Sequence, residues 1–123
     1  MNTKIINNNK ILLVEDDPQD VKMMLLALTK SNLANHVKIV RDGTEALDYL
    51  HRRGKFQTRL GGNPDLVLLD NKMPNGSGLQ VLNTIKADEH LKMIPVLAFT
   101  SSSETQDLIE FFKHGVPKDV QLE

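Results

Sequence analysis

Ile11-Leu12-Leu13-Val14-Glu15-Asp16-Asp17-Pro18 sets four consecutive apolar residues directly against three acids and a proline. A run this short and this apolar suits a strand covered on both faces, as in a parallel sheet. Two more runs match it, Leu66-Val67-Leu68-Leu69 and Ile94 to Phe99, the last interrupted only by Pro95. Val37-Lys38-Ile39-Val40 is more mixed, as befits an edge strand. Between the runs the period lengthens: Val21, Met24, Leu25 and Leu28 fall at i, i+3, i+4, i+7, and Leu108, Phe111 and Phe112 repeat the spacing. Asp17 before Pro18 predicts an N-cap and a first helical residue, with Asp20 acidic in the first turn. Further helices are predicted over 44–53 and 78–87, the latter with Leu79, Leu82 and Ile85 facing inward. Ser103 with Gln106 reads as a capping box for a last helix, and Gly115 after Lys113-His114 as its C-cap. Strand and helix alternate, and right-handed crossovers then make an α/β fold, an open, doubly wound parallel sheet with helices on both faces.

The 123 residues suit one compact domain, at 40% apolar and 25% charged. Residues 1–9, with Asn2, Asn7, Asn8 and Asn9, read as a flexible N-terminal segment ahead of a domain over 10–123. There is no secretory apolar region and no run of about 20 apolar residues for a membrane span. The expected compartment is the cytoplasm, with no membrane contact. Absence of cysteine excludes disulfides, iron–sulfur clusters and thiol catalysis. A net charge of −1, 4% aromatics and no tryptophan argue against direct nucleic-acid binding. The polar connection from Arg52 to Pro64, carrying Arg52, Arg53, Lys55 and Arg59, has two readings: a solvated link between helix and strand, or a basic recognition loop.

In open α/β sheets the functional crevice lies beyond the carboxyl ends of the strands. Here those ends are acidic: the first run meets Glu15-Asp16-Asp17 and the third meets Asp70, while the fourth runs into Thr100-Ser101. Adjacent parallel strands would gather Glu15, Asp16 and Asp70 at one rim. Crowded carboxylates repel unless a cation lies among them or one is protonated. An all-oxygen set points to a hard ion such as Mg²⁺, which pairs naturally with a phosphoryl group, and a Thr100 hydroxyl could donate to that group. Any one of these acids alone would read as a loop or capping residue, Asp17 above all. His36, His51, His90 and His114 lack metal-ligand spacing and read as surface residues, and Ser101, Ser102 and Ser103 as turn and capping residues. Met23 and Met24 read as core or boundary packing.

Three stretches, Ile11 to Pro18, Leu68-Leu69-Asp70-Asn71-Lys72-Met73-Pro74-Asn75-Gly76-Ser77-Gly78, and Ile94 to Ser101, resemble the receiver domain of two-component response regulators in residues, order and spacing. The long 52–64 connection resembles the single-domain receivers associated with phytochromes. The resemblance implies a flavodoxin-like strand order 2-1-3-4-5. It makes Asp70 the phosphoryl acceptor and Thr100 the switch hydroxyl. Asp16 would bind Mg²⁺ directly, Glu15 mainly through water, and the backbone carbonyl of Lys72 would add another oxygen. The implied donor is a phosphohistidine on a sensor histidine kinase or phosphotransfer protein, or a small phosphodonor. The chain would then be a signalling domain that promotes its own phosphorylation and dephosphorylation, not an enzyme, with output through the fourth helix and adjacent sheet edge.

The last residues depart from the pattern. The family's fifth strand ends in Lys-Pro and a fifth helix follows, whereas this chain reads Val116-Pro117-Lys118-Asp119-Val120-Gln121-Leu122-Glu123 after Gly115. The sequence thus implies an atypical fifth strand, a missing fifth helix and a C-terminally incomplete domain. An uncovered sheet face would favour a homodimer or swapped dimer. The missing lysine sustains a second reading, a receiver-like interaction module that takes no phosphate and binds partners constitutively. An acid-dependent phosphohydrolase fits less well, since Lys72 stands where that class needs a second acid.

Overall fold

The computed structural model describes residues 10–30, 36–70 and 77–99. They form β1 (Ile11–Val14), α1 (Pro18–Lys30), β2 (Val37–Val40), α2 (Gly43–His51), a 3₁₀ turn (Gly54–Phe56), β3 (Leu66–Asp70), α3 (Ser77–Ala87) and β4 (Val96–Phe99). All pairings are parallel, in the order β2-β1-β3-β4. The first four places of the expected order therefore hold, and β2 lies at an edge of the described sheet. The 1–9 segment, the Met73–Gly76 loop, Lys72, Thr100, the 103–115 helix and the atypical C-terminal strand lie outside the described residues.

Alternation along the strands explains why the runs are apolar throughout. Leu12, Val14, Val67 and Leu69 pack against Tyr49, Leu50, Val81 and Ile85 of α2 and α3. Ile11, Leu13, Leu66 and Leu68 point the other way, onto Met24, Ala27 and Leu28 of α1. Each large side chain so buried contributes about 1.5–3 kcal/mol relative to exposure, which makes the central strands the main source of stability. Asp17 caps α1 as predicted, its Oδ1 accepting from the Gln19 N–H at 2.9 Å. Met24 is core, whereas Met23 is exposed.

Two expectations need correcting. Leu79 does not face inward but is 63% exposed, while Val81 and Ile85 are buried. Leu79 stands two residues before Val81, about 200° around the helix from the buried stripe. His51 is half-buried rather than a surface residue, with Nε2 2.9 Å from Asp88 Oδ2. That bond ties the end of α2 to the turn after α3, and it is the leading cause holding the Asp88 carboxyl below its ordinary range.

The 52–64 connection is not a plain solvated link. Asp42 caps α2, Oδ1 accepting from the Glu45 N–H at 2.8 Å, and the helix ends at Arg52, in the left-handed region with φ 56°. The chain then folds back beside the helix and drives Phe56 into the core cluster. Its ring meets Tyr49 edge-on at 5.1 Å, and Arg59 stacks on the Tyr49 face at 4.1 Å. Burial of the Arg59 guanidinium lowers its pKa. Gly54, at φ 60°, permits the fold-back; a Cβ there would lie 3.3 Å from Asp48 Oδ2.

Candidate functional site

Register brings the acids together. Val14 is level with both Val40 and Leu69, so Glu15, the residue after β1, follows on beside the last residue of β3, Asp70. The Glu15 N–H donates to the Val40 carbonyl at 2.9 Å, which carries the ladder one residue past β1. Glu15 and Asp70 are 1% and 3% exposed, the only buried charged residues among those described. Asp16 is exposed, one residue on, where the backbone leaves the sheet for α1. One carboxylate oxygen from each of Glu15, Asp16 and Asp70 lies within 4.8 Å of the other two. Three residues singled out in the sequence thus converge; Lys72 and Thr100 lie outside the described residues.

Glu15 Oε2 accepts from the Asp17 N–H at 3.0 Å, but Oε1 is buried and has no hydrogen-bond partner among the described residues. The Glu15 pKa is pushed up to about 7, chiefly by burial, then by the Asp70 carboxylate and the charge of Asp20, with the Asp17 N–H opposing them. Asp20 is the contributor that sequence reasoning missed. Its place in the first turn of α1 speaks only of the helix dipole, whereas in the folded chain its charge also acts on Glu15.

The donor set fits a hard divalent cation. Mg²⁺ takes oxygen ligands and is commonly held by one or two carboxylates, which Glu15, Asp16 and Asp70 could supply. Such an ion would satisfy the buried Glu15 Oε1 and relieve the repulsion that raises its pKa. One side of the cluster stays exposed at Asp16, whereas Asp70 is buried.

The sequence matches the response regulator receiver domain family over residues 11–120. The chain is 35% identical over 103 residues to response regulator Rcp1 of Synechocystis sp., covering 84% of this chain and 69% of that protein. The structure resembles the bacteriophytochrome response regulator AtBRR, with 51% identity and a TM-score of 0.69, over 90% of this chain and 82% of that one. It also resembles the Mn²⁺-bound form of Rcp1, with 34% identity and a TM-score of 0.65, over 91% of this chain and 78% of that one.

Proposed function

Because the chain belongs to the response regulator receiver family, we propose that it takes a phosphoryl group on Asp70 and signals through the conformational change that follows. The observation that carries this reading is the convergence of Glu15, Asp16 and Asp70 oxygens within 4.8 Å at the carboxyl ends of β1 and β3. The phosphodonor is a phosphohistidine on a sensor histidine kinase or phosphotransfer protein, in a two-component pathway of the cytoplasm.

An Asp70 oxygen attacks phosphorus, a P–O bond forms as the donor P–N bond breaks, and the imidazole leaves with the electron pair. Asp16 would hold the metal directly and Glu15 mainly through water, with the Lys72 backbone carbonyl as a further ligand. Mg²⁺, when bound, offsets the repulsion between the carboxylates and the incoming phosphoryl oxygens. Burial of Asp70 against the sheet fixes the attacking oxygen and limits water around the acyl phosphate. Thr100 donates its hydroxyl to a phosphoryl oxygen and draws the following segment inward, which shifts a two-state element toward the form that partners recognise.

The test is incubation with Mg²⁺ and a small phosphodonor, or with beryllofluoride, followed by intact-mass and amide-spectrum comparison with Asp70→Asn. Addition of one phosphoryl group, with shifts near Thr100 that vanish in the variant, is the expected result. No change in either protein would leave the constitutive interaction module as the reading.

A further inference from the structure

The eight residues from Arg52 to Arg59 carry four cations and no acid, in a chain whose formal net charge is −1. Two are compensated internally: Arg53 Nε lies 3.0 Å from Asp48 Oδ1, and Lys55 pairs with Glu45. Arg52 and Arg59 have no carboxylate partner among the described residues; their guanidinium groups grip backbone carbonyls. Arg52 Nη1 donates to the Arg59 carbonyl at 2.7 Å and Nη2 to the Gly61 carbonyl, so one fork holds the residues on either side of Leu60. Arg59 in turn donates from Nε to the Tyr49 carbonyl at 2.7 Å and from Nη1 to the Gly62 carbonyl at 3.2 Å. Asn63 Nδ2 donates to the His90 carbonyl at 3.1 Å and fixes the loop's far end.

Between these anchors Leu60 is 55% exposed. A lone exposed leucine is ordinary on a protein surface. This one is held outward by neighbours that are themselves clamped by the guanidinium groups of Arg52 and Arg59. A rigid apolar anchor with an Arg-rich border is the anatomy of an association surface, and pre-organisation spares the entropy of ordering it on contact.

We infer that residues 52–62 form a docking surface for a protein partner that offers an apolar pocket for Leu60 bordered by carboxylates. Charge complementarity selects the acidic border. A nucleic acid fits less well, because the two aromatic rings of the loop region, Tyr49 and Phe56, are buried and offer no face on which a base could stack. α2 runs back from the carboxyl end of β2, so the loop begins at the opposite end of the sheet from Glu15, Asp16 and Asp70. A partner docked here leaves the acidic rim accessible.

The test is amide-spectrum titration of the full chain with a short helical peptide bearing leucine on one face and glutamate on the rest. A control peptide carries glutamine for every glutamate. Shifts confined to residues 52–62, about tenfold weaker binding for Leu60→Ser, a similar loss for Arg53→Ala/Lys55→Ala, and weakening with added salt are expected. Asp70→Asn should bind as the unaltered chain does, which separates this surface from the phosphoacceptor reading. The inference is overturned if the glutamate peptide causes no shift at the loop, if the glutamine peptide binds equally, or if Leu60→Ser has no effect. It is also overturned if a single-stranded oligonucleotide shifts the same amides more tightly than the peptide does. Both sets of side chains are exposed, and an otherwise unchanged amide spectrum confirms that the variants fold.

Discussion

Replacing Glu15 by glutamine tests the electrostatics of the rim directly. The amide side chain would keep an acceptor for the Asp17 N–H, which now bonds Glu15 Oε2 at 3.0 Å, and would remove the charge. The Glu15 pKa rises from 4.5 to about 7 on folding. Below pH 4.5 the carboxyl is protonated in both the folded and unfolded chain, so it imposes no penalty. As pH climbs from there, the unfolded chain releases its proton first, and the folded state loses stability until about pH 7. The full shift corresponds to about 3 kcal/mol at most, and screening by water at the open Asp16 side reduces this to about 1–2 kcal/mol. Urea denaturation in EDTA should therefore show Glu15→Gln more stable than the unaltered chain by about 1–2 kcal/mol at pH 8, or roughly 5 °C in Tm, and equal to it at pH 4. Added Mg²⁺ should close or reverse the gap, since binding to the folded state stabilises the chain that keeps its ligand. A stability difference that does not vary between pH 4 and pH 8, or a less stable variant at pH 8 without metal, would refute the reasoning.

Other perturbations address the scaffold. Phe56→Ala removes a buried ring and its edge contact with Tyr49, and should cost about 3 kcal/mol in urea titration; a loss below about 0.5 kcal/mol would return the 52–64 connection to a solvated link. Asp42→Ala deletes the α2 cap and should cost about 1 kcal/mol, with Asp42→Ser retaining most of it. Asp88 has a depressed pKa through His51, so its contribution is present above pH 3.8 and lost as pH falls through the lower folded value; Asp88→Asn should flatten that acid limb of the stability profile, and an unchanged limb would contradict the pairing.

Much of the site was legible because its signals are local. An apolar run ending in acids marks both a strand and its boundary, and such boundaries in neighbouring parallel strands must meet at one edge, as Glu15, Asp16 and Asp70 do. Asp17 and Pro18 likewise announced the start of α1 with no help from the rest of the chain. Asp42 was less legible, since its capping role depends on where the preceding strand stops. The charge of Asp20 escaped notice because a side chain's reach across a helix start depends on how that helix docks.

Which segments are strands, that they run parallel, and that β1 and β3 end in acids can all be read from the chain alone, since hydrophobic period and end chemistry act over a few residues. How tightly Glu15 holds its proton, that Leu79 faces out, that Phe56 belongs to the core, and that Arg52 and Arg59 hold Leu60 outward become visible once the chain is folded. Those properties arise from partners distant in the chain. Desolvation, register and ring packing are set by what other elements bring alongside a residue, and no local pattern of residues encodes them.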